Sequence, residues 1–194
     1  MVNVKVLIEG YARQIKNGWI ASSTVTLIQI DSKNILVDPG CNRQRLLAEL
    51  SKNNLRTQDI DFVFLTHSHT DHTLLTGIFE NAKVINSSEV YEGDEQIEHQ
   101  GRIAKINLSI IATPGHSEDS CSLIITTGDG IYAVVGDVFW WRDDEKQLVD
   151  VTKSDPYAEG KNKNELIKTR KKILKIADWI IPGHGKMFKN PDRP

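Results

Sequence analysis

Three histidines and an aspartate fall within six residues of this sequence, in Thr66-His67-Ser68-His69-Thr70-Asp71-His72. So dense a set of imidazoles and a carboxylate cannot be buried as ordinary core, because their polar atoms would lack partners. Imidazole and carboxylate together are the donors of a divalent cation site. In an extended segment His67 and His69, at i and i+2, point to the same side and can bind one cation together. Asp71 and His72 follow as the chain turns into a helix, so their side chains can diverge toward a second cation. Two ions need further donors from distant sequence, and His116, Asp137 and His184 can supply them. Seven ligands suit two four- or five-coordinate ions that share a carboxylate and a water. A cation lowers the pKa of bound water to about 7, so hydroxide exists at neutral pH. Ser68, Ser117 and Ser120 lie close by in sequence but form no nucleophile triad, and read as loop residues.

The elements around these residues repeat one pattern. The strand FVFL runs into 66–72, LSIIA into Thr113-Pro114-Gly115-His116, IYAVV into Gly136-Asp137, and WII into Pro182-Gly183-His184. Each time an apolar strand ends, a loop bearing Gly, Pro or a small polar residue presents a metal-capable side chain. Five of the six histidines sit in such places, and only His99, read as a surface residue, does not.

Further strands are expected at 2–8, 24–30, 34–37, 83–85, 103–106, 108–112, 121–126 and 131–135, with turns at 31–33 and 127–130. Helices are expected at 43–53, 74–79 and 165–177. The last presents Leu166, Ile167, Arg170, Ile173, Leu174 and Ala177 on one face. Residues 11–21 read as a loop with an exposed Trp19. The acidic stretch 89–98 and the basic stretch 161–175 read as solvated faces. A strand-rich chain with flanking helices is a layered α/β or α+β fold rather than a Rossmann repeat.

Composition sets the outer limits. The 194 residues carry 24 Lys+Arg against 26 Asp+Glu, a net charge of −2. The apolar 39 %, raised to about 46 % by the 13 glycines, is ordinary for a globular protein. Disordered, collagen-like and disulfide-scaffold chains are excluded, and the length fits a single domain over 1–194. The net charge gives no overall pull toward nucleic acid or a membrane surface. Cys41 and Cys121 form no CxxC pair and read as reduced thiols. The N-terminal residues show no secretory pattern and the apolar runs are short, so the expected setting is soluble and cytoplasmic.

HxHxDH with a downstream His, Asp and His resembles the metallo-β-lactamase fold superfamily of hydrolases. The likeness spans nearly the whole chain, from Asp38-Pro39-Gly40 to Pro182-Gly183-His184-Gly185. It implies a four-layer αβ/βα sandwich, with two mixed β-sheets face to face, helices on the outer faces and metals at one edge. Carried over by position, His67, His69 and His116 resemble the ligands of one site. Asp71, His72 and His184 resemble those of the other, and Asp137 the bridging carboxylate. Asp38 matches an acidic residue that orients a ligand imidazole through its other nitrogen. Asp71 and Asp137 would be the catalytic carboxylates, Asp71 steering a bridging hydroxide.

Where Asp137 stands, the best-known β-lactamase subclass has Cys, so antibiotic hydrolysis is not the expected role. The phrases IIATPGHSEDSCSLI and VVGDVFW are similar to a compact stand-alone subgroup. The expected cofactors are two divalent cations, with zinc the best match and iron or manganese fitting the same ligand types. The expected reaction is hydrolysis of an ester, thioester, lactone or phosphodiester. The alternatives are an endoribonuclease acting on single-stranded RNA and an iron-dependent redox member of the fold. The substrate is a small molecule or RNA, and nothing in the sequence sets an oligomeric state. Trp140, Trp141, Arg142 and Trp19, with Tyr157 as a similar case, are the residues proposed to line the mouth of the site.

Overall fold

A computed structural model of the chain describes residues 2–102 and 108–193. Fourteen strands and three α-helices follow one another as β1 (Asn3–Ile8), β2 (Tyr11–Ile15), β3 (Gly18–Ser22), β4 (Val25–Ile30), β5 (Lys33–Val37), α1 (Arg43–Lys52), β6 (Phe62–Phe64) and α2 (Thr70–Thr73) among the described residues. They continue as β7 (Lys83–Ile85), β8 (Glu89–Glu92), β9 (Glu95–Glu98), β10 (Ser109–Ala112), β11 (Cys121–Thr127), β12 (Gly130–Trp140), α3 (Lys161–Ile176), β13 (Trp179–His184) and β14 (Phe188–Lys189).

One sheet has the order β1-β4-β5-β6-β7-β8-β9, with β5, β6 and β7 parallel and the remaining pairs antiparallel. The other has the order β10-β11-β12-β13-β14, parallel only between β12 and β13. Period-two alternation assigns every buried strand two jobs. Ile35 and Val37 of β5 face inward, as do Ile28 of β4, Phe64 of β6 and Ile85 of β7. They meet Ile110, Leu123, Ile125, Val134 and Ile181 of the second sheet in the central core. Leu27, Leu36 and Val63 face the other way, against Leu46 and Leu50 of α1. Ala133, Val135 and Ile180 are the outer face of the second sheet, covered by Leu166, Ile173 and Leu174 of α3. The result is the expected αβ/βα sandwich.

Local chemistry explains the boundaries. Asp31 and Ser32 both take positive φ, at 48° and 63°, which is the two-residue hairpin turn that suits strand twist. Asn42 caps α1 by accepting from the Arg45 N–H at 3.1 Å.

Several expectations need correction. Residues 11–21 are not a loop: β2 and β3 pair as a separate hairpin. Ile15, Trp19 and Ile20 are exposed on it, so no hydrophobic alternation marks it, and Asn17-Gly18 is its turn signal. The acidic stretch 89–98 is largely exposed, as expected of a solvated face, and it folds as a hairpin, β8–β9, added at the edge of the larger sheet. In place of a helix at 74–79 there is the short α2 and a 3₁₀ turn over Thr76–Ile78. Helix α3 starts four residues before the expected 165, because its first turn, Lys-Asn-Lys-Asn, has no apolar residue to reveal it. Strand β12 runs past the expected end at 135, and β14 was not anticipated. The strand expected at 103–106 lies outside the described residues. No helix among the described residues is long and apolar enough to cross a membrane.

Candidate metal centre

The seven side chains singled out by spacing meet at one edge of the sandwich. His67 and His69 come from the loop after β6, Asp71 and His72 from α2, His116 from the loop after β10, Asp137 from β12, and His184 from the end of β13. His67, His69, His116 and Asp137 bring one donor atom each within 4.8 Å of one another, and so do Asp71, His72 and His184. In the first group, His67 Nε2 and His116 Nε2 each lie 3.0 Å from His69 Nδ1. Asp137 stands between the groups. Its Oδ2 is 3.3 Å from His116 Nε2 and 3.8 Å from His67 Nε2. Its Oδ1 is 3.3 Å from His72 Nε2 and 3.6 Å from His184 Nε2. Asp71 Oδ2 completes the second group, 3.3 Å from His184 Nε2.

Backbone geometry permits this crowding. At Gly136 φ is +52°, and a Cβ there would meet Thr66 Oγ1 at 2.3 Å. A Cβ on Gly183 would lie 1.8 Å from Asp137 Oδ1, so only glycine lets β13 pass the carboxylate. The register of β12 and β13 shifts between Val134 and Gly136 and again between Gly136 and Trp140, which turns Asp137 toward the edge.

The outward ring nitrogens decide the tautomers. His72 Nδ1–H donates to Asp38 Oδ2 at 2.8 Å, and His116 Nδ1–H to Asp155 Oδ2 at 2.9 Å. His184 Nδ1–H donates to the Tyr11 carbonyl at 3.1 Å. The Thr66 hydroxyl donates to Asp38 Oδ2 at 2.7 Å and so accepts from His67 Nδ1–H at 3.0 Å. Each proton is thus held on the far nitrogen, and four Nε2 lone pairs are left facing inward. Asp38 also accepts the Thr66 N–H at 2.8 Å, and its own φ of +50° marks a backbone held in a costly conformation.

These residues fit a pair of divalent cations. His69 Nδ1 lies 3.0 Å from the inward Nε2 lone pairs of both His67 and His116, and a single proton on it cannot fully serve both. His72 Nε2 and Asp137 Oδ1 are buried and have no hydrogen-bond partner. A cation in each group answers both problems. The electrostatics divide the imidazoles. Burial would lower His72 and His116, but Asp137 and Asp38 hold His72 well above its ordinary value, and Asp137 and Asp155 raise His116. Burial pushes His67 well below its ordinary value. Burial would raise Asp137, but His184, His72 and His116 outweigh it and hold the carboxyl well below the usual range. Burial works against Asp155 too, yet His116 keeps it low and ionised.

The proposed mouth residues divide. Trp19, Trp140 and Tyr157 line a cavity of 240 Å³ over the metal set, together with Ala12, Ala21, His69, Thr70, Asp71, Asp137 and His184. Trp141 and Arg142 do not. Trp141 is buried in the outer core, stacks on Phe139 and donates its indole N–H to the Leu148 carbonyl. Arg142 pairs with Asp144 and Glu145 beside a different groove. His99 is half-buried rather than a plain surface residue. Its Nε2–H donates to the Asn86 carbonyl and its Nδ1 accepts from Gly101 N–H.

Sequence reasoning missed Asp155. It has no exposed side-chain surface and also accepts the Trp140 indole N–H at 3.0 Å and, on Oδ1, the Tyr157 N–H at 2.8 Å. In sequence, Asp155-Pro156 looks like any turn, and only the third dimension sets it behind His116.

Comparison with known proteins places this geometry. The sequence model of the Metallo-beta-lactamase superfamily matches residues 19–104. The chain is 31 % identical over 198 residues to metallo-beta-lactamase domain-containing protein 1 of Xenopus laevis, covering 96 % of this chain and 81 % of that one. Solved structures with the same fold include a dizinc quorum-quenching lactonase, at a TM-score of 0.62 and 16 % identity over 86 % of this chain and 74 % of that one. They also include a chemotaxis sensor with a peroxy diiron species, at 0.68 and 18 % over 98 % and 87 %. At such identities the likeness is one of fold. From the Xenopus relative, the family match and the shared architecture, the chain belongs to the metallo-beta-lactamase superfamily, as a metal-dependent hydrolase.

Proposed function

We propose that the seven-residue set holds two divalent cations, zinc best matching its nitrogen-rich donors, and that the protein hydrolyses an ester, thioester, lactone or phosphodiester. The observation that carries this reading is Asp137, with one carboxylate oxygen turned to each triad. Bound there, the cations would supply hydroxide at neutral pH and take up charge developing on the substrate oxygen. The chain's own residues do the rest. His67, His69 and His116 hold one position, and Asp71, His72 and His184 the other. Asp38 and Asp155 keep two of the imidazoles in the tautomer that offers Nε2. Asp71 is the more open of the two central carboxylates, its side chain 29 % exposed against 7 % for Asp137. With Oδ2 beside His184, Asp71 Oδ1 is left to orient the attacking water and accept its proton. Cys41 and Cys121 are free thiols, which fits a reducing, cytoplasmic setting.

The test is elemental analysis of the purified protein, followed by chelation and re-addition of single metals. The expected result is two ions per chain, activity lost on chelation and restored by zinc. Undiminished activity in metal-free protein would overturn the reading.

A further inference from the structure

The cavity over the metal set has walls that separate substrate classes. Ala12, Ala21 and Trp19 from the β2–β3 hairpin face Trp140 and Tyr157, and the remaining lining residues are Thr70 and members of the metal set. Among the described residues, no lysine or arginine lines this cavity. Lys153 does lie 4.8 Å from the Trp140 ring centroid, but its ammonium is engaged by the Trp140 carbonyl and Glu145. A polynucleotide brings a charged phosphate at every residue, and proteins that bind one answer with cations along the groove. The aromatic pair offers no slot for a base either. Trp19 and Trp140 stand edge to face, at 80° with centroids 6.1 Å apart.

What the walls suit is a small apolar group. The cavity's 240 Å³ falls below the roughly 300–1,000 Å³ typical of pockets for drug-sized ligands. The wall is also held in register with the metal set. Asp155 accepts from the Trp140 indole N–H, the Tyr157 N–H and His116 Nδ1–H. The Tyr157 ring rests 5.1 Å from that of His69 and 5.0 Å from that of His116.

We infer that the centre serves a carboxylic ester, thioester or lactone whose short apolar acyl group seats against Trp19, Trp140 and Tyr157. Water adds across the acyl carbon–heteroatom bond, giving a carboxylic acid and an alcohol or thiol. This rests on the hydrolase reading proposed above and narrows it.

The experiment uses the zinc-loaded full chain with 4-nitrophenyl acetate and butyrate, a thioester and a lactone, set against bis(4-nitrophenyl) phosphate and a short single-stranded RNA. Calorimetry of acetate and butyrate binding gives a readout independent of turnover. Two extra buried methylenes predict roughly a tenfold preference for the four-carbon compound in both kcat/KM and binding. Trp19→Ala and Tyr157→Ala change side chains that are 37 % and 49 % exposed, so the fold survives them. Both variants should shrink that preference, whereas Lys168→Ala on α3 should leave it unchanged. Phosphodiester or RNA turnover at or above the acyl rates would overturn the acyl assignment and leave the hydrolase reading standing. So would acyl turnover with no chain-length preference, or a preference unmoved in both variants. Zinc-loaded protein that turns over neither class would sink both readings together.

Discussion

Asp137 and Val138 are neighbours on β12, and each borders a buried charge. At Val138 the charge is Arg170 of α3, 1 % exposed. Its Nε donates to the Val138 carbonyl at 2.8 Å, and one terminal nitrogen donates to the carbonyls of Val151 and Lys153 at 3.2 and 2.6 Å. This cation is answered inside the chain, by carbonyls that tie the loop before α3 to the sheet. At Asp137 the polar atoms converge and are not answered, since Asp137 Oδ1 and His72 Nε2 have no partner. Burial and charge are common to both places, and satisfaction separates them. A satisfied buried charge is scaffold, whereas a converging set of unsatisfied donors is built for something that comes from outside.

Four substitutions probe that contrast. Asp137→Ala removes the shared ligand. Loss of an outer partner alone costs about 10–100-fold, so this change should cost more than about 100-fold in kcat/KM and empty both positions by elemental analysis. Gly183→Ala touches no ligand by name. Its methyl would collide with Asp137 Oδ1, so bound metal and turnover should fall together, and normal metal content would show that the strand can yield. Asp155→Asn keeps the shape and removes the charge behind His116. Metal affinity should drop about 10–100-fold in a competition titration with a chelator, with a smaller fall in thermal stability because the amide nitrogen replaces one oxygen that accepts from buried N–H groups. Arg170→Met should do the reverse. Three carbonyls, one buried and two partly buried, lose donors, worth up to about 3 kcal/mol or at most roughly 6–12 °C in Tm for a chain of this size, read by calorimetry. Metal content and activity per folded molecule should hold. If Arg170→Met empties the metal set instead, the division between scaffold and site fails.

The two regions also differ in how far the sequence exposes them. The metal set is legible because metal donors are few in kind, and strand ends delivering His, His-Asp, Asp and His have no commoner use. Arg170 was legible only as a member of an apolar helical face, since periodicity reports burial and says nothing of partners. Asp155 was invisible because its partners lie 15 and 39 residues away. The β2–β3 hairpin was misread for a related reason. Most of its residues pack on no core and carry no alternation, yet it supplies three of the cavity's walls. Elements that build the core announce themselves by period, while elements that serve only the site have little reason to.

The three hydrogen bonds gathered by Asp155 have a thermodynamic corollary. One carboxylate is shared by an imidazole turned toward the cations and by two walls of the cavity, so loading and recognition draw on a common joint. Whatever stiffens the joint from one side makes the other side's binding less costly in entropy, and the effect must be mutual. A seated acid should therefore slow the escape of the ions, and stripping the ions should leave the aromatic walls slack.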